Sequence, residues 1–99
     1  MPRYVIERVF DPLTDAEMLA LAHRSRDVAV SDFPDVEWEH SHVCADDEGT
    51  IKSYCVYRAP NEQQLHAHAA TVGQHVITRV YEVVGDLDPT DLPPLSGRP

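Results

Sequence analysis

The chain has 99 residues, 42% hydrophobic and 25% charged, enough for one small domain with a single two-layer core. Seventeen acidic residues against eight basic give a net charge of −9, which repels phosphate backbones and anionic bilayers and sets aside nucleic acid and membrane surfaces as partners. No stretch approaches the roughly 20 apolar residues of a membrane span. The N-terminus lacks the apolar centre of a signal peptide, so the expected compartment is the cytoplasm, where Cys44 and Cys55 stay reduced.

Residues 3–10 alternate as a strand, with Tyr4 and Ile6 on one face and Val5, Glu7 and Val9 on the other. Asp11-Pro12 ends it. Thr14 and Glu17 have capping-box spacing at a helix start, and an apolar stripe follows through Met18, Leu21, Ala22 and Val28. That helix should fade between Val28 and Ser31, because Pro34 excludes its continuation. Residues 36–44 read as a strand, Asp46-Asp47-Glu48-Gly49 as a turn, and residues 51–58 as the returning strand of a hairpin. Asn61 caps a second helix, with Gln64 three residues on and Leu65, His68, Ala69 and Val72 along one face. Residues 76–84 form the last strand. Residues 1–88 thus make one domain, and 89–99, rich in proline, read as a flexible tail.

The order β-α-β-β-α-β predicts an α+β fold of the ferredoxin-like, split βαβ type: a four-stranded antiparallel sheet with two helices on one face. The sheet's other face would be bare, and a second copy covering it would give a dimeric α+β barrel.

Six histidines and two cysteines in so short a chain direct attention to metal ligation. In Trp38-Glu39-His40-Ser41-His42-Val43-Cys44, strand alternation places Trp38, His40, His42 and Cys44 on one face. His40 and His42 are then about 7 Å apart at the backbone and can converge on one ion. If the hairpin closes with Ala45 opposite Thr50, His42 faces Ser53, His40 faces Cys55 and Trp38 faces Tyr57. A register change of one residue sends Cys55 to the opposite face. Imidazole with thiolate suits nickel, zinc, copper or iron, and suits magnesium or calcium poorly.

His68, in the apolar stripe of the second helix, is either a core histidine bonded to a backbone carbonyl or a further ligand. It reaches the ion only if the His40 face lies under the helices. Glu7 stands in a central strand and needs a partner, Arg79, Arg58 or a metal. Tyr57 and Tyr81 could turn hydroxyls into the same cavity. His23, His66 and His75 are expected at the surface.

Residues 1–8 (MPRYVIER), 36–43 (VEWEHSHV), 52–60 (KSYCVYRAP), 62–69 and 79–90 together resemble a family of small bacterial nickel-binding or nickel-responsive proteins, formerly a domain of unknown function. The resemblance implies a ferredoxin-like domain, a dimeric barrel and a bound transition metal, Ni²⁺ being the family's named ion; the donor set itself leaves Zn²⁺, Cu²⁺ or Fe²⁺ as alternatives. Its matching ligand positions are His40, Cys55 and His68, with Glu7 and Tyr57 in support. His42 stands where that family is expected to carry tyrosine, and could be an extra ligand. The leading expectation is a metal-binding protein that sequesters or senses nickel. The alternative is a small dimeric barrel enzyme, oxygenase- or isomerase-like, working in a cavity between the two sheets.

Overall fold

A computed structural model describes residues 1–92 of the chain. The elements run β1 (Arg3–Phe10), α1 (Asp15–Asp32), β2 (Glu37–Ala45), β3 (Ile51–Arg58), α2 (Glu62–Val72) and β4 (His75–Glu82). The strands form one antiparallel sheet in the order β2-β3-β1-β4, the expected split βαβ topology. Both helix starts are built as the spacing predicts. Thr14 and Glu17 exchange side-chain and backbone hydrogen bonds at 3.0 and 3.1 Å, and Asn61 accepts from the Gln64 amide at 3.0 Å. α1 runs on to Asp32, past the expected fading point, and Phe33 closes it by donating its amide to Ala29 C=O.

The core lies between the helices and one face of the sheet. Tyr4 and Ile6 of β1, Cys55 and Tyr57 of β3, and Leu65 of α2 form its centre, with Val36 and Ala59 beside them. Leu65, His68, Ala69 and Val72 are all buried, so the predicted stripe of α2 is the face it packs. Leu65 and Val72 are each worth about 1.5–3 kcal/mol on burial. Arg24 of α1 reaches across to the C-terminal carbonyls of α2, donating to Val72 at 3.2 Å and Thr71 at 3.1 Å. It thereby satisfies two acceptors a helix end leaves free. Gly73 follows at φ 78°, ψ −176°, a conformation reserved for glycine.

Two irregularities decide what each sheet face presents. The β2–β3 loop takes in Thr50: the Asp46 amide donates to Thr50 C=O, and Ala45 pairs with Ile51, not with Thr50. His42 therefore faces Tyr54, Ser41 faces Cys55 and His40 faces Val56. The register then shifts between Trp38 and His40, so that Trp38 still faces Tyr57, as expected. Glu39 is the extra residue. Its carboxylate accepts from Arg3 Nε at 2.9 Å and Arg58 Nε at 3.3 Å, while Trp38 stacks on Tyr57 with ring centroids 6.4 Å apart. A bulge lets both neighbours have the side they need. In β4 a second shift makes Thr78 the extra residue opposite β1.

Beyond the sheet, Pro89–Asp91 form one turn of 3₁₀-helix capped by Asp88, so the start of the expected tail is locally ordered. The remainder of that tail, residues 93–99, lies outside the described residues. No helix among the described residues is long and apolar enough to cross a membrane.

Candidate functional site: two clusters on opposite faces of one sheet

The candidate ligands do not form one group. Alternation from the observed pairings puts His40, His42 and Cys44 on the open face, and Cys55, Tyr57 and Ser53 under the helices. The expected His40–Cys55 pairing is corrected by the five-residue loop, and the shared face of Trp38 with His40 by the bulge at Glu39. His68 comes from α2 onto the covered side, so it joins Cys55 and Tyr57, not the strand histidines.

On the open face the His40 and His42 rings lie edge to face, centroids 5.5 Å apart, and both residues are exposed. Among the described residues neither ring takes a protein hydrogen bond, which leaves their nitrogen lone pairs available. Cys44, two residues further along the same face, is an exposed free thiol. Glu7 is on this face too. Of its expected partners, Arg79 forms a loose ion pair with it, Nε to Oε1 at 3.9 Å, and Arg58 is engaged with Glu39. Hydroxyls hold it more closely, Thr78 Oγ1 at 2.6 Å and Tyr54 Oη at 3.0 Å. These bonds, that from Thr78 first, hold its carboxyl below the usual glutamate range. Two strand spacings, about 10 Å, separate β1 from β2, so Glu7 belongs to a different neighbourhood from the histidines. Tyr81 is exposed on β4.

The covered cluster is drier. His68 is fully buried and donates Nε2–H to Ser25 C=O at 2.9 Å, the arrangement of a core histidine tied to a backbone carbonyl. Its Nδ1 has no partner. Burial pushes this imidazole below the ordinary 6.5; the carbonyl bond opposes that shift and the Arg8 guanidinium adds to it. Tyr57 is raised by burial in the same way. The Cys55 thiol shares a hydrogen bond with Ser53 Oγ at 3.2 Å.

Two residues of this cluster escaped the sequence reading. Arg8 is 3% exposed, and His75, expected at the surface, is half-buried and hydrogen-bonded to it at 2.7 Å. The signal for Arg8 was the same period that placed Tyr4 and Ile6: position 8 continues their face. His75 is also lowered from 6.5 by burial, with the Gly73 carbonyl opposing and Arg8 adding to the shift. His23 and His66 are exposed as expected, His66 against Glu62 one helical turn away.

Among the described residues, no group of three or more His, Cys, Asp or Glu side chains is gathered closely enough to hold a metal. The His40 and His42 imidazoles are neighbours, with ring centroids 5.5 Å apart. By donor chemistry that pair fits a borderline ion such as nickel, zinc or copper, and leaves its remaining positions to other donors.

Residues 4–83, four fifths of the chain, match the family model described as nickel responsive protein SCO4226-like, and the chain belongs to that family. No curated protein matches it, and no solved structure does.

Proposed function

We propose that this member of the family binds a divalent transition-metal ion, nickel by the family's description, and serves to sequester or sense it in the cytoplasm without catalysing a reaction. The observation that carries the reading is the His40–His42 pair: two exposed imidazoles 5.5 Å apart, free of competing hydrogen bonds among the described residues. Both stand on a rigid strand, which limits the entropy lost on ligation. Cys44 is the nearest soft donor on the same face. Cys55, His68 and Tyr57 leave the proposed ligand set because the sheet stands between them and the pair. Glu7 leaves it because Thr78 and Tyr54 already occupy its oxygens.

The proposal includes a homodimer. The open face carries Val76 at 61% and Tyr81 at 58% exposure beside half-buried Val5, Val9 and Val56. A second copy on this face would cover these side chains and bring further donors towards the histidines.

Calorimetric titration of tag-free protein with Ni²⁺ tests the metal reading. Micromolar binding at about one ion per subunit is expected, with His40→Ala and His42→Ala each weakening it by roughly tenfold or more. Cys55→Ser and His68→Gln should leave it unchanged. Binding that survives the double histidine variant would overturn the site, and no binding by wild type would overturn the function. Sedimentation or light scattering reads the dimer directly.

A further inference from the structure

Helix α1 packs on α2 and leaves the helix-side face of β2 uncovered: of the nine residues of β2, all but half-buried Ser41 are exposed. Between that face and α1 lies a cavity of about 90 Å³. Phe10, Met18, Leu21 and Val72 wall it, and Trp38 and Val43 form its open side, 40% and 59% exposed. The space exists because the side chains facing it from the middle of each wall are small, Ala22 and Ser25 on α1 opposite Ser41, Ser53 and Cys55 on the sheet. A well-packed interior leaves few voids larger than a water molecule, so room of this size is unusual in a chain of 99 residues.

The polar groups of the wall are engaged with one another. Trp38 Nε1–H donates to Ser41 Oγ at 2.8 Å, and Ser53 Oγ shares a hydrogen bond with Cys55 Sγ at 3.2 Å. Ser25 and Tyr57 turn their hydroxyls to each other. His75 donates Nδ1–H to Gly73 C=O and accepts from Arg8 Nη1 at Nε2, both at 2.7 Å. The other Arg8 nitrogens, Nε and Nη2, are buried out of a ligand's reach. The surface that faces the space is therefore almost wholly apolar and uncharged. An ion entering it would lose its hydration with no bond in return. A hydrocarbon surface gains by leaving water. The volume is of the order of the ~150 Å³ apolar cavity that takes up benzene.

We infer that this cavity binds a small neutral molecule through a ring-sized hydrocarbon body, held between Trp38 and Val43 of β2 and Met18 and Leu21 of α1. Binding there rests on shape and apolar area, so the site selects by size and neutrality and not by a hydrogen-bond pattern. It lies on the helix side of the sheet, whereas the His40–His42 pair lies on the open side, and the two stand or fall separately.

Trp38 is the single tryptophan of the chain and stands in the wall, so its fluorescence, excited beyond the absorption of toluene, reports occupancy. Full-length protein is titrated with toluene, and with benzoate and benzylammonium, which carry the same ring with a negative or a positive charge. A saturable response at roughly millimolar toluene or below is expected, with both ions weaker by roughly tenfold or more. Ala22→Leu fills the space from α1 and should weaken toluene binding by roughly tenfold or more. Should that variant fail to fold, Val43→Asp on the open side should have the same effect, while Val84→Asp, 96% exposed beyond the far edge strand β4, leaves binding unchanged. No saturable response to toluene, equal binding of either ion, or full binding by folded Ala22→Leu or Val43→Asp would each overturn the assignment. Sedimentation of the same samples distinguishes a free cavity from one filled by a second copy: unchanged mass supports the site, and a response seen only as dimers dissociate overturns it.

Discussion

Replacing His68 by glutamine should flatten the acid side of the protein's stability curve. His68 and His75 are both held below 6.5 in the folded state, chiefly by burial. In the unfolded chain each takes up a proton near the ordinary histidine value. Between the folded and unfolded values the unfolded state carries more protons, so stability falls as pH drops through 6.5. Above about pH 7 both states are neutral and the effect vanishes; below the folded value the slope levels off. Each group can contribute at most about 1.4 kcal/mol per pH unit, so the pair gives at most about 2.8 and the variant at most about 1.4. Glutamine retains an N–H for Ser25 C=O, which keeps the cost at pH 7.5 to about 1–2 kcal/mol. Carboxylates with lowered values, such as Glu7 and Glu39, lose their contribution only as pH falls below the usual glutamate value of 4.5, outside this window. Urea unfolding of both proteins at pH 5.5, 6.5 and 7.5, followed by circular dichroism, measures the slopes. Identical slopes for wild type and variant would refute the reasoning, because His68 would then bind protons equally in both states.

The two cysteines should separate kinetically: an aromatic disulfide reagent should label exposed Cys44 in the native protein within seconds, and buried Cys55 only on unfolding. Equal rates would contradict the assignment of Cys55 to the covered face. Gly73→Ala should destabilise by about 1–3 kcal/mol, measured by thermal melting, although nothing lies within 4 Å of the added methyl group. The cost comes from φ 78° alone. The nickel titration adds the prediction that His40→Ala weakens binding, read by calorimetry, while His68→Gln on the covered face leaves it unchanged.

Much of the fold was legible because it rests on local chemistry. The capping residues Thr14 and Asn61, the breaks at Pro12 and Pro34 and the period of α2 each act within a few residues of chain. Together they define the βαββαβ order and the buried stripe Leu65-His68-Ala69-Val72. The family was legible for a related reason, since most of the quoted segments lie within the matched residues 4–83. The candidate site was legible only as a set of residue types. One residue more in a loop moved His40 and His42 to the opposite side of the sheet from Cys55, and one bulge parted Trp38 from the histidines. Neither has a signature in the composition of β2. Glu39 reads as an ordinary polar strand residue until Arg3 and Arg58, distant in sequence, converge on it.

What the chain determined by itself is its set of elements, their order and the donors it carries. Hydrogen-bonding caps, backbone-restricting prolines and apolar period need no distant partner to act. Tertiary structure decided which donors meet. A strand has two faces related by a single step of register, and that step is set by long-range pairing. The same pairing buried Arg8, with no carboxylate paired to it among the described residues, beside a cavity that no local pattern announces. A charge is costly or harmless according to what surrounds it, and the surroundings of Arg8 come from β3, α1 and β4.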